Sequence, residues 1–63
     1  MKYTKFTMLP VRARWKIVQE ALGVEITGCK DKKTTKAIMK LQSDHGMTPN
    51  GCVDEQTYEL LNI

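Results

Sequence analysis

The chain has 63 residues, of which 41% are hydrophobic and 27% charged, and ten Lys and Arg against seven Asp and Glu give a net charge of +3. A chain of this length forms one small domain with a marginal core, and its composition argues against wholesale disorder. The size argues against an enzyme, and no apolar run approaches the roughly 20 residues that a membrane helix needs.

The N-terminal segment, residues 1–9, lacks the apolar core that a signal peptide requires. We therefore expect the chain to be one module of a larger protein. Tyr3, Phe6 and Met8 could pack as an extended arm or belong to a loose terminus. We accordingly divide the chain into an N-terminal arm, residues 1–9, and a helical domain, residues 10–63.

The first predicted helix covers residues 10–22. Pro10 is tolerated in a first helical turn, and Gly23 is a natural C-terminal cap. Four apolar residues recur at the spacing i, i+4, i+7 and i+11, which places them on one face of this helix: Val11, Trp15, Val18 and Leu22.

Two further helices are predicted from their caps. Asp31 is a good N-cap for a second helix, which ends near Gly46. The dipeptide 50–51, Asn-Gly, is a strong turn signal in the loop that follows. Asp54 is then the N-cap of a short third helix that runs to Leu61.

These elements predict an all-α, compact three-helix domain with two turn-helix repeats. Only residues 24–27 alternate apolar and polar side chains, and four residues are too few for an ordinary strand. We expect the following core: Val11, Trp15, Val18, Leu22, Ile26, Ala37, Ile38, Leu41, Val53, Tyr58 and Leu61.

The repeat is the most informative feature of the sequence. Residues 28–34 and 51–57 share Gly, Cys, Asp and Thr at the same offsets. Gly supplies an unusual backbone conformation, and Asp caps the helix. Thr is expected to complete this cap by a hydrogen bond to the capping residue and to have no other role. Gln42 is expected to satisfy backbone groups of a nearby turn. The predicted structural residues are Gly28, Asp31, Thr34, Gln42, Gly51, Asp54 and Thr57.

The ordered set of motifs resembles the small peptidoglycan-binding domain of bacterial and phage cell-wall hydrolases and envelope proteins. The resemblance covers about residues 11–61, and the order of the set makes it specific where each single element is weak. The matching positions are Val18-Gln19-Glu20-Ala21-Leu22-Gly23, Thr27-Gly28, Thr34, Ala37-Ile38, Leu41-Gln42, His45-Gly46-Met47, Asn50-Gly51, Val53, Thr57-Tyr58 and Leu61.

This resemblance implies a non-catalytic module, without cofactor, that targets an attached cell-wall hydrolase or a phage or envelope protein to the bacterial cell wall. It would be secreted, wall-associated or phage-encoded, and monomeric. Its partner would be peptidoglycan. The lysine stripe, formed by Lys32, Lys36 and Lys40, is either a solvated face, which we favour, or a basic rim that attracts the phosphates of teichoic acid or the carboxylates of peptide stems. We expect ligand contacts where the loop 48–50 meets the third helix, at Thr48, Asn50, Gln56, Tyr58 and Lys40.

The two cysteines follow Gly28 and Gly51 at equivalent positions in the repeats. If the two units pack about a common core, Cys29 and Cys52 should point inward and approach one another. We expect a disulfide between them, with two buried free thiols as the alternative. Together with His45 they provide only three scattered ligands, so no metal site is expected.

Two other function classes stay open: a protein–protein adaptor on the same scaffold and a small basic nucleic-acid-binding domain. The third helix carries Asp54, Glu55 and Glu59, which the phosphates of a nucleic acid would repel. The second helix has lysines but no Arg for bidentate base readout. We therefore expect neither nucleic acid nor membrane as a partner.

Overall fold

The computed structural model describes residues 2–63, which form four α-helices. In chain order these are α1 (Tyr3–Thr7), α2 (Val11–Leu22), α3 (Lys32–Asp44) and α4 (Glu55–Leu61). No strand occurs within residues 2–63, so the all-α prediction is confirmed. Helix α2 contacts α3 and α4, α3 contacts α4, and α1 packs on α4. None of the helices in this range is long and apolar enough to cross a membrane.

Helix caps explain where α3 and α4 begin and where α2 ends. The carboxylate of Asp31 accepts a hydrogen bond from the backbone N–H of Thr34 at 2.7 Å, at the start of α3. Asp54 does the same for Thr57 at 2.8 Å, at the start of α4. Gly23 ends α2 in the left-handed conformation, with φ 73°. Each cap satisfies backbone groups that a helix end leaves without a partner.

The N-terminal segment forms a helix, so the expectation of an extended or loose arm is wrong, and the predicted count of three helices is one too few. Phe6 of α1 is buried, and its ring meets the ring of Tyr58 edge-on with centroids 4.7 Å apart. Tyr3 lies 5.4 Å from the same ring. Helix α1 has only five residues, too few for its apolar residues to show a helical period.

The core is built from one fully packed side chain of each helix: Phe6, Val18, Ile38 and Tyr58. Partly buried side chains surround them: Tyr3, Trp15, Leu22, Val53, Leu61 and Ile63. Seven of the predicted core residues belong to this cluster, namely Trp15, Val18, Leu22, Ile38, Val53, Tyr58 and Leu61. Ala37 and Leu41 are half-buried.

Two residues of the predicted core lie on the surface instead. Val11 is 58% exposed because it opens α2 and lines a surface groove, beside the packed core. Ile26 is 51% exposed. Its neighbour Thr27 is held toward α2 by hydrogen bonds to Gln19, and this fixes the loop with its polar side inward.

Candidate functional site

Gln19 on α2 organises the turn that precedes α3. Its side chain is fully buried. The amide Nε2 donates toward the Thr27 hydroxyl at 2.9 Å, the Cys29 carbonyl at 2.8 Å and the Thr34 hydroxyl at 3.0 Å. Its Oε1 accepts the backbone N–H groups of Thr27 and Gly28, both at 2.9 Å. One buried amide therefore joins α2, the turn and the first turn of α3.

Gln42 on α3 organises the turn that precedes α4 in the same way. It is also fully buried. Its Nε2 donates toward Asn50 Oδ1 at 2.9 Å, the Cys52 carbonyl at 2.8 Å and the Thr57 hydroxyl at 3.0 Å. Its Oε1 accepts the backbone N–H of Gly51 at 3.1 Å. The amide thus satisfies backbone groups that the turn would otherwise bury without partners.

The two turns repeat one another with an offset of 23 residues, and the first equivalent positions are the two glutamines. The match extends to the ends of the preceding helices: the N–H of Val24 donates to the Gln19 carbonyl at 3.2 Å, and that of Met47 to the Gln42 carbonyl at 2.8 Å. The predicted repeat begins only at its glycines, and no role is predicted for Gln19. The signal was present, because Gln19 precedes Gly28 by the nine residues that separate Gln42 from Gly51.

The two buried threonines do more than complete caps, so the expectation of a capping role alone is wrong. The Thr34 and Thr57 hydroxyls accept the glutamine amides described above. Hydrogen bonds from the side chain and the backbone N–H of Thr34 lower the pKa of Asp31. Those from the backbone N–H and the side chain of Thr57 lower the pKa of Asp54. In each turn, hydrogen bonds therefore connect the glutamine amide to the threonine, and the threonine to the carboxylate of the capping aspartate.

The cysteines are exposed free thiols, so the expectation that they point inward and form a disulfide is wrong for this structure. The carbonyl groups of Cys29 and Cys52 face the buried amides of Gln19 and Gln42. The glutamine side chains occupy the space behind each turn, and the thiols are therefore left on the outside.

The predicted ligand contacts differ in their exposure. Thr48, Gln56 and Lys40 are exposed, and each is therefore accessible to a ligand. Tyr58 is only 4% exposed, because α1 covers its ring. The ring belongs to the core, as predicted, and it also lines the cavity between α1 and α4. A contact between the Tyr58 hydroxyl and the wall ligand stays a prediction.

Asn50 is exposed but has a structural task. Its Oδ1 accepts the Gln42 amide and the backbone N–H of Cys52, each at 2.9 Å. The side chain therefore rigidifies the turn before α4, in place of the Thr27 hydroxyl of the first turn. A ligand would meet the remaining amide group of Asn50 in a fixed orientation.

A groove of about 210 Å³ lies between α2 and the turn before α4. Val11, Trp15 and Val53 contribute apolar walls. Arg14 and Lys30 contribute two cations, and no acidic side chain from residues 2–63 lines the groove. The Nε of Arg14 is buried and has no hydrogen-bond partner in this part of the chain.

A second cavity, of about 420 Å³, lies between α1 and α4. Its lining includes Lys2, Tyr3, Glu55 and Glu59, so acidic side chains outnumber basic ones there. The described residues contain no cluster of three or more His, Cys, Asp or Glu that could hold a metal ion. The basic groove and the acidic cavity therefore differ in the sign of charge that they offer a ligand.

The model of a protein family described as "Putative peptidoglycan binding domain" matches residues 13–61. The matched range contains both glutamine-centred turns, all of α3 and α4, and most of α2. The chain belongs to the peptidoglycan-binding domain family. Comparison with curated proteins and with solved structures finds no match.

Membership of this family indicates that the functional site is a binding surface. A peptidoglycan-binding domain binds and is not catalytic by itself. The matched range contributes Arg14, Trp15, Lys30 and Val53 to the basic groove. Helix α1 precedes the matched range, yet in this peptidoglycan-binding domain it contributes Phe6 to the core.

Proposed function

We propose that this domain binds bacterial peptidoglycan without catalysing a reaction and holds an attached protein at the cell wall. The family match over residues 13–61 is the observation that carries the proposal. The glutamine-centred turns support it, because surface loops that are already fixed before binding cost little further ordering entropy.

The attached protein, in this proposal, is a cell-wall hydrolase or a phage or envelope protein. A binding module raises the effective concentration of its partner on an insoluble polymer. Removal of the module should therefore slow an attached hydrolase on intact murein and leave its rate on a small soluble substrate unchanged.

The exposed residues Thr48, Gln56 and Lys40 are proposed contacts of the wall ligand. They lie on the loop after α3, on α4 and on α3 respectively, and each has an uncovered polar side chain. The neighbouring lysines Lys32 and Lys36 are also exposed, and they would add attraction to teichoic acid phosphates. Such attraction between exposed charges weakens as the salt concentration rises.

Co-sedimentation with purified insoluble murein tests the proposal. We expect the domain to pellet with murein prepared with or without teichoic acid, and to be absent from the pellet with cellulose. A triple variant, Lys40→Gln with Thr48→Ala and Gln56→Ala, should bind murein more weakly. The control Glu20→Gln, an exposed residue of α2 outside the proposed contacts, should not. Retention on DNA but not on murein would overturn the proposal and favour the nucleic-acid alternative.

A further inference from the structure

We infer that the groove between α2 and the turn before α4 binds the stem peptide of peptidoglycan through its terminal carboxylate. This inference rests on the proposed function and names the part of the wall polymer that this groove recognises. The charge and the apolar walls of the groove support it.

The charge of the groove selects an anion. Arg14 and Lys30 line it, and no acidic residue of the described chain does. The buried Nε of Arg14 has no hydrogen-bond partner within residues 2–63, although buried polar atoms are nearly always paired. A guanidinium pairs well with a planar carboxylate, which can accept two of its N–H groups at once. A carboxylate in the groove would pair with the part of the Arg14 side chain that lines it.

The apolar walls favour a peptide end over a phosphate polymer. Val11 is 58% exposed on the rim, and the half-buried Trp15 and Val53 complete the wall. A stem peptide that ends in D-alanine offers methyl groups beside its carboxylate, whereas the polyol phosphate chain of teichoic acid offers phosphates with few apolar groups. Of these two polymers, the stem peptide matches both the cations and the walls.

The groove is open to solvent, so its volume of about 210 Å³ admits the end of a longer ligand. Charge and apolar walls, and not size, therefore distinguish between the candidate ligands.

The test uses a synthetic stem pentapeptide that ends in D-alanyl-D-alanine, its C-terminal carboxamide, and, as the glycan, an oligomer of N-acetylglucosamine, which has no carboxylate. Trp15 is the single tryptophan of the chain and lines the groove, so its fluorescence reports occupancy directly. We expect the free acid to change this emission and to bind at least tenfold more tightly than the carboxamide, with no change from the glycan. Charged hydrogen bonds of this kind support a loss of that size.

Charge-removing variants inside and outside the groove show which cationic residues bind the pentapeptide. Arg14→Gln and Lys30→Gln should each weaken pentapeptide binding, Arg14→Gln by about tenfold or more. Arg12→Gln, on the same helix, and Lys33→Gln, close to Lys30 in the chain, remove the same charges outside the groove and should leave binding unchanged. Thermal melts of all four variants separate loss of binding from loss of fold.

The paired cysteines provide a second, independent test. Cys52 lines the groove and Cys29 does not, although both are exposed. A bulky maleimide on Cys52 in a Cys29→Ser background should block pentapeptide binding. The same label on Cys29 in a Cys52→Ser background should not.

Equal binding of acid and carboxamide, or an Arg14→Gln variant that binds as tightly as the unmodified chain, would overturn the inference. So would murein binding that disappears when teichoic acid is stripped, because the ligand anion would then be a phosphate. In the first two cases the domain would still pellet with murein, and the proposed function would stand. Absence of any murein binding would overturn both.

Discussion

Gln19 and Gln42 lie 23 residues apart and occupy equivalent positions, each fully buried with its amide bound to a turn carbonyl at 2.8 Å and to a threonine hydroxyl at 3.0 Å. Each glutamine connects the helix that carries it to the first turn of the next helix. Residues 2–63 contain only four buried apolar side chains, so these two amides are a main source of loop order.

Substitution of Gln42 tests this role. Gln42→Ala leaves the Gly51 N–H and the Thr57 hydroxyl without their partner and opens a cavity, so we expect a loss of about 2–4 kcal/mol in the free energy of unfolding. Gln42→Glu should cost at least as much, because it replaces a donor by an oxygen that faces three acceptors. Urea denaturation measures both. The exposed Gln56→Ala is the control, expected within about 0.5 kcal/mol of the unmodified chain.

Helix α1 should contribute to stability mainly through Phe6, its buried side chain. Phe6→Ala removes a buried ring that packs edge-on against Tyr58, and we expect a loss of about 3–5 kcal/mol. Met8→Ala, at a position 80% exposed, should change stability by less than about 0.5 kcal/mol. Thermal or urea unfolding compares them. Equal stabilities for the two variants would show that α1 does not pack on α4 in solution.

A comparison of Gly46 with Gly51 distinguishes the cost of backbone strain from the cost of a steric contact. Gly46 and Gly51 have nearly the same positive φ, 73° and 74°, but a Cβ at Gly46 would meet nothing within 4 Å. A Cβ at Gly51 would lie 3.0 Å from the methyl group of Thr35. This methyl group cannot easily retreat, because the Thr35 hydroxyl is bound to the Asp31 carbonyl at 2.9 Å.

We therefore expect Gly46→Ala to cost about 1–2 kcal/mol, the usual strain of a left-handed residue, and Gly51→Ala about 2–4 kcal/mol. Chemical denaturation of the two variants side by side measures the difference. A smaller loss for Gly51→Ala than for Gly46→Ala would contradict the tight contact with Thr35.

The free energy of unfolding should decrease as the pH falls below about 4. Hydrogen bonds from Thr34 and Thr57 lower the pKa of Asp31 and Asp54 in the folded state. The unfolded chain therefore binds protons at higher pH than the folded chain does. The stabilisation is present above the unfolded pKa of about 3.9 and is lost as the pH falls through the folded pKa.

The double variant Asp31→Asn, Asp54→Asn keeps a capping side chain at both helices without a titrating group. Its stability should depend less on pH below about pH 4 than that of the unmodified chain. Melting temperatures measured from pH 7 to pH 2.5 compare the two. Parallel curves would show that the caps do not contribute to acid unfolding.

The thiols should react in the folded state. Both cysteines are exposed and free, so a colorimetric disulfide reagent should titrate both without denaturant. The double variant Cys29→Ser, Cys52→Ser should melt within a few degrees of the unmodified chain, because neither thiol contributes to the core. Two thiols that become reactive only after reduction would reveal a disulfide in solution.

Local signals in the sequence determined the helices α2, α3 and α4. Asp31 and Asp54 cap their helices through their own side chains, Gly23 ends α2 without help from distant residues, and the apolar period of α2 spans three turns. The family, too, follows from the order of such short-range motifs along the chain.

Tertiary structure alone decided which residues meet across the chain. Phe6 and Tyr58 are 52 positions apart, and no local pattern in a five-residue helix indicates that their rings touch. The buried glutamines turn the thiols outward because each amide fills the space behind its turn, and α2 meets the turn before α4 to form the groove with Arg14. Apolar periodicity and helix caps depend on residues that are near one another in the chain. The burial of a side chain depends on which distant residues pack against its helix or turn.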